Sequence, residues 1–255
     1  MLVDTPVEPV EPNRHGAVVD VDVGPKLAPL ADDLAAAALS LARRFSAGAT
    51  MWCVAPTWPW HAHHVAVEFV HPVIMGCRAL PAVVTEEDDL SAILRVLGRP
   101  GDLLLAVADA DCGPVIDAMQ RAPAWGLSTL WLGTGPRPRP GAADHVLWVG
   151  DGGDLAAHDG TMVLLYHVLW ELTHVCFDHP GLLVPEPECV DDVCVTCSDE
   201  GRLAEVVTVV DADEARVRTA TGVESVDTAL VEAVRPCDLV LVHAGSVISI
   251  VEGAG

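Results

Sequence analysis

The chain is poor in positive charge. Lys26 is its sole lysine, and 14 basic side chains in 255 residues stand against 37 acidic ones, a formal net charge of −23. That balance excludes a phosphate-neutralising surface, so neither nucleic acid nor an anionic membrane is expected as a partner. Long apolar runs are missing too. The longest, Met162–Phe177, is broken by His167, Glu171 and His174, which leaves it too short and too polar to span a bilayer. Met1 to Glu11 carries neither a basic n-region nor an apolar h-region. No secretory signal is therefore expected, and the expected compartment is the cytoplasm. There the eight cysteines would serve as reduced thiols, metal ligands or catalytic groups. Hydrophobic residues make up 51% of the chain and charged ones 20%, ample material for a core.

Residues 1–25 are rich in Val, Pro, Glu and Asp, with prolines at 6, 9, 12 and 25, and read as an irregular acidic arm with one edge strand at Ala17–Val23. The pattern changes at Lys26. Leu30–Phe45 has helical periodicity and strong helix formers. Short apolar runs at Thr50–Val54, Leu80–Val84, Asp102–Val107, Ser128–Leu132 and His145–Val149 follow. Helical stretches at His61–Val70, Glu86–Leu97, Gly113–Arg121 and Leu155–Cys176 alternate with them. This alternation predicts an α/β domain over 26–177, a parallel sheet flanked by helices. Residues 178–192 are Pro- and acid-rich and read as a linker. Over 193–255 the texture is short and β-branched: Arg202–Val210, Glu214–Thr219, Glu224–Val226, Asp238–His243 and Ser246–Val251. It predicts a small all-β, OB-like barrel, small enough to need docking on its neighbour.

Two clusters carry the chemistry of the C-terminal module. Cys194-Val-Thr-Cys197 leads into the first strand, and Asp238-Leu-Val-Leu-Val-His243-Ala-Gly245 forms a late one. With "GRLAEVVTVV" and "LVLVHAG" in these positions, the module resembles the HypC/HupF family of nickel–iron hydrogenase assembly chaperones. The resemblance implies a thiolate and an imidazole holding iron as Fe(CN)2CO. It names Cys197 as ligand with His243 as its partner, and Cys194 as the competing thiol. Soft thiolate and nearby imidazole suit low-spin iron. Its implied partners are the hydrogenase large-subunit precursor and maturation scaffold proteins. The family cysteine usually stands at the mature N-terminus, whereas Cys197 is internal. A zinc half-site completed by Cys237 and His243 is the plain alternative.

In the α/β domain, Ala55-Pro-Thr-Trp-Pro-Trp-His-Ala-His-His64-Val-Ala-Val-Glu68-Phe follows a strand and opens a helix. With "RALPAVVTEEDD", "GDLLLAVADADCGPVIDAMQRAPAWGLSTLWL" and the helix over 159–176, it resembles SIS domains, in particular the sedoheptulose-7-phosphate isomerase group. The usual phosphate loops are degenerate. Trp58 stands where that group has a phosphate-binding serine, beside two prolines, and Asp109 and Asp111 occupy the second loop, where they would repel a phosphate dianion. The resemblance implies a metal or acid–base set at His64, Glu68, Asp159 and His167, suited to Zn2+ or another divalent metal. His64 and Glu68 are i,i+4 on one helix, and Asp159 and His167 lie about two turns apart on another. The plain alternative pairs Glu68 with Arg78 at the surface. His61 and His63 read as solvated neighbours, His71 as a helix end, and Trp58 and Trp60 as pocket fillers or partner contacts. SIS-type pairing through the apolar helix at Met162–Phe177 implies a homodimer or higher oligomer.

Taken together, these readings predict a non-enzymatic hydrogenase-maturation chaperone built on a degenerate SIS domain. A phosphosugar isomerase, or a sugar-phosphate-binding SIS protein with a regulatory barrel, is the alternative.

Overall fold

The computed structural model describes residues 27–72, 76–86, 89–150, 160–184 and 201–251. The acidic arm, its edge strand at Ala17–Val23, and most of the linker lie outside them. No helix among the described residues is long and apolar enough to cross a membrane.

The first helix, α1 (Ala31–Ser46), shows why these residues coil. Leu34, Ala37, Ala38, Leu41, Ala42 and Phe45 recur at three- and four-residue steps and are all buried. Asp32 and Asp33 in the first turn and Arg43 and Arg44 in the last oppose the helix dipole. The chain then runs β1 (Met51–Val54), α2 (Pro59–Val70), β2 (Ala82–Val84), α3 (Leu90–Leu97), β3 (Leu103–Val107), α4 (Gly113–Arg121), β4 (Ser128–Thr134), β5 (His145–Val149) and α5 (Thr161–Asp178). The five strands form a parallel sheet in the order β2-β1-β3-β4-β5, with Met51 opposite Leu103 and Leu103 opposite Ser128.

Both faces of that sheet are covered, so its central strands are apolar without a break. Side chains alternate between two cores. Met51, Cys53, Leu105 and Val107 pack under α1, α2 and α5 with Phe69, Tyr166 and Leu169. Trp52, Val54, Leu104 and Ala106 pack under α3 and α4 with Met119, Trp125 and Trp131.

The expected helix at Glu86–Leu97 begins only at Leu90, because Asp89 caps it by accepting the Ala92 amide at 2.9 Å. The described part of the last helix begins after Gly160, whose φ of 80° is left-handed.

The second sheet contains β6 (Arg202–Val209), β7 (Glu214–Thr219), β8 (Gly222–Asp227), β9 (Leu239–His243) and β10 (Ser246–Val251). It is mixed. Its order, β10-β8-β7-β6-β9, closes on itself because β10 pairs β9 antiparallel along its length and β8 parallel at Ser246–Asp227. Val206, Val217, Val226, Val240, Val242 and Val247 fill its own small core.

The two sheets share a junction. Leu239 belongs to the second core of the parallel sheet, with Leu203 and Val251 packed against it. At its centre Glu205, only 2% exposed, accepts from Arg95 Nε at 2.9 Å, from Trp125 Nε1 at 2.9 Å and from Arg121 Nη1 at 3.4 Å. Arg121 Nη1 also donates to the Cys237 carbonyl, and Arg218 Nη1 to the Arg95 carbonyl, each at 2.8 Å.

Candidate metal or acid–base centre

Two helices on one face of the parallel sheet build the site. On α2, Val65 and Phe69 point into the core and leave His64 and Glu68 at its edge, one turn apart. On α5, Leu165, Tyr166 and Leu169 are buried, and His167 emerges beside them. Where the helices meet, His64 Nε2 lies 3.3 Å from Glu68 Oε1, His167 Nε2 lies 3.5 Å from the same oxygen, and the two Nε2 atoms are 3.3 Å apart. One donor atom from each residue falls within 4.8 Å of the others. The side chains are neither sealed nor fully solvated, at 36%, 16% and 40% exposure for His64, Glu68 and His167.

Tyr166 completes the arrangement, and sequence reasoning missed it. Its hydroxyl is 2.9 Å from His64 Nδ1. Burial first, and the nearby Glu68 carboxylate second, push its ionisation well above the usual phenol range, so the hydroxyl stays protonated. When Tyr166 accepts from Nδ1–H, the His64 lone pair sits on Nε2, facing Glu68 and His167. The signal lay in plain view: this is the chain's single tyrosine, immediately before His167.

Three of the four expected ligands therefore converge. Asp159 lies outside the described residues. The surface pair of Glu68 with Arg78 does not form, since the Arg78 guanidinium lies over the Phe177 ring, 4.9 Å from its centroid. His63 is solvated as expected, 2.8 Å from Glu86. His71 caps the end of α2. His61 is not a solvated neighbour: it is fully buried, stacked on Trp60 with centroids 3.4 Å apart and edge-on to Tyr166. It shares the helix face of Val65 and Phe69, four and eight residues on, and that face is core.

The two degenerate loops lie at the C-terminal ends of β1 and β3, where the strand order reverses. Trp58 is 7% exposed and precedes Pro59, so the first turn of α2 offers a packed ring and one fewer amide donor. Asp109 and Asp111 line a separate cavity on the other side of the sheet.

Of the expected iron ligands, Cys194 and Cys197 lie outside the described residues. His243 is half-buried at the end of β9, before a hairpin whose Ala244 and Gly245 have φ of 48° and 82°.

No protein-family model matches the chain, and no curated protein matches it by sequence. Solved structures do. A phosphoheptose isomerase from Francisella tularensis aligns at 16% identity and a TM-score of 0.50, over 56% of this chain and 86% of that one. A phosphoheptose isomerase from Neisseria gonorrhoeae aligns at 20% identity and a TM-score of 0.46, over 61% of this chain and 90% of that one. The C-terminal domain of a glucosamine-fructose-6-phosphate aminotransferase, also from Francisella tularensis, aligns at 13% identity and a TM-score of 0.42, over 61% of this chain and 42% of that one. The expectation of a protein without enzymatic activity is corrected by the first likeness, since the fold matched is that of an enzyme. Nothing in these likenesses supports the HypC/HupF resemblance of the second sheet. The α/β part of the chain has a SIS-like fold.

Proposed function

We propose that the α/β part is an isomerase-type enzyme acting on a sugar or sugar phosphate, with His64, Glu68 and His167 as its reacting centre. The convergence of those three donor atoms within 4.8 Å carries the reading. An aldose–ketose interconversion moves a proton between adjacent carbons, so it needs a group that accepts the proton and returns it. Glu68, held between two imidazoles with no guanidinium to neutralise it among the described residues, suits that role. Tyr166 orients His64, and the buried wall of Phe69 and Leu169 keeps water from one side of the centre. Two imidazole nitrogens and a carboxylate oxygen also fit Zn2+ or a similar divalent ion, and the same three residues would hold it. Such an ion supplies Lewis-acid polarisation of a substrate oxygen.

The test is direct. Purified protein, with and without added Zn2+, is incubated with sedoheptulose 7-phosphate and with unphosphorylated sedoheptulose, and product is followed by NMR. Conversion by the parent that disappears in Glu68→Gln supports the reading. No conversion of either sugar, or equal metal content in the parent and a His64→Ala/His167→Ala double variant, counts against it. Given Trp58, Asp109 and Asp111 in the usual phosphate loops, the two sugars are expected to differ little.

A second reading concerns the closed second sheet, taken as an OB-like module over 193–255, and one observation favours it. Arg202 pairs with Val242, so the chain enters β6 at the end of the sheet where His243 lies. Cys197 stands five residues before Arg202. In this reading a Cys197 or Cys194 thiolate and His243 carry iron as cargo between maturation scaffold proteins and a hydrogenase large-subunit precursor in the cytoplasm. Infrared CN and CO bands on protein recovered from hydrogenase-expressing cells, lost in both Cys197→Ala and His243→Ala, are the expected result. Bands that survive both changes refute it. Pairing of two chains through α5, where Leu164 and Val175 are exposed, belongs to the same proposal, and sedimentation at micromolar concentration checks it.

A further inference from the structure

On the face of the parallel sheet away from α2 and α5, a cavity of about 860 Å³ lies between the C-terminal ends of β3 and β4 and the second sheet. Its volume falls within the range of small-molecule sites. Neither sheet makes it alone. Ile116 and Trp131 come from the α/β part, and Leu203, Leu239 and Val251 from the second sheet.

The walls are braced before any ligand arrives. Trp131 Nε1 donates to the Ala108 carbonyl at 3.1 Å. Trp148 packs edge-on against Trp131, with centroids 6.1 Å apart, and donates to the Gly135 carbonyl at 2.8 Å. Gly133 makes this packing possible, because a Cβ there would collide with the Trp148 ring.

Charge enters from two loops. Asp109 and Asp111 follow β3, and Arg137 and Arg139 follow β4. Both arginines are exposed, and the ion pair of Arg137 with Asp33 is long, at 3.9 Å. Neither guanidinium is committed to a tight partner in the way that Arg95 is to Glu205. A molecule that satisfies this lining has an apolar body, an anionic group for the arginines, and N–H or O–H donors for the carboxylates.

We infer that this cavity binds a small amphipathic organic anion, its apolar body against Ile116, Trp131 and Leu239 and its anionic head on Arg137 and Arg139. The site is separate from the centre on α2 and α5, which packs in the opposite core, and it does not depend on the isomerase reading.

The probe is 8-anilinonaphthalene-1-sulfonate, which combines fused rings, a sulfonate and an N–H. Fluorescence titration of the full chain should show saturable binding near one equivalent. The double variant Arg137→Gln/Arg139→Gln should weaken it about tenfold, as expected for lost charge-assisted contacts. N-phenyl-1-naphthylamine, which lacks the sulfonate, should bind parent and double variant alike. Ile116→Trp, which fills the cavity, should remove binding of both probes while urea unfolding stays cooperative. Should that variant not unfold cooperatively, Val251→Trp at the end of β10 fills the same space from the other sheet. Parent-like binding of the sulfonate by the double arginine variant overturns the anion assignment. Parent-like binding by a folded cavity-filled variant overturns the site.

Discussion

Glu68 and Glu205 are both shielded carboxylates, yet their surroundings are opposite. Glu205 sits at the junction of the two sheets and meets Arg95, Arg121 and Trp125, all of them donors, so its charge is neutralised and its oxygens are occupied. Glu68 sits between α2 and α5 and meets two imidazoles, with no arginine or lysine contact among the described residues. Full satisfaction at Glu205 marks a structural clamp, because a buried charge is tolerated only when it is paired. Incomplete satisfaction at Glu68, with histidine nitrogens converging on the same oxygen, leaves room for a proton or a cation. The same side chain thus serves architecture in one place and chemistry in the other, and its neighbours decide which.

The largest expected effect tests the clamp. Glu205→Ala leaves Arg95 and Trp125 facing an apolar junction without an acceptor, and should cost about 3–5 kcal/mol in urea unfolding. A loss below about 1 kcal/mol would mean that water replaces the carboxylate and that the two sheets are held by apolar contact alone. Glu68→Gln, by contrast, should change the stability of metal-free protein by no more than about 0.5 kcal/mol, as for a surface-edge substitution.

The next effect separates the two carboxylates by ligand rather than by fold. With Zn2+ at about 100 times its dissociation constant, a site that exists only in the folded state stabilises it by about 2.7 kcal/mol. That gain should appear as a raised unfolding midpoint in the parent and in Glu205→Gln. It should vanish in His64→Ala/His167→Ala. A gain that persists in the double variant places the metal elsewhere. Smaller again is Tyr166→Phe, which keeps the ring but frees His64 Nδ1, and should weaken Zn2+ binding about 10- to 100-fold in a competition titration.

The two carboxylates were unequally legible in the sequence. Glu68 could be found because helical spacing places His64 and Glu68 on one face, and His167 follows from the resemblance to SIS domains. Tyr166 could not be found by spacing, since its role depends on the crossing of two helices far apart in the chain. Glu205 was invisible for the same reason in stronger form: its partners come from α3, α4 and the turn after α4, at least 80 residues away in each case. An acidic residue in the β-branched run Arg202–Val210 looks like an ordinary solvent-facing position until its docking surface is known. The central strand positions read well, because the apolar runs of β1, β3 and β4 are buried on both faces of the parallel sheet. His61 was misread, although its four-residue step to Val65 already placed it on the buried face of α2. The cavity at the junction was beyond reach, as half of its wall belongs to each sheet.

The smallest effect concerns His145, which opens β5 opposite Leu130 and lies away from both carboxylates. Partial burial lowers its affinity for a proton below the ordinary imidazole value of 6.5, and the Asp144 and Asp33 carboxylates offset that only in part. The sign follows from proton counting. In a window just below pH 6.5 the unfolded chain holds more protons at this position than the folded one, so stability rises with pH. The contribution is fully present above that value and is lost as pH falls towards the depressed folded value. His145→Gln cannot titrate and should flatten this part of the stability profile while leaving Zn2+ binding and the clamp untouched. Urea midpoints measured between about pH 5 and pH 7.5 decide it: parallel slopes for parent and variant would show that His145 exchanges its proton as freely in the fold as out of it.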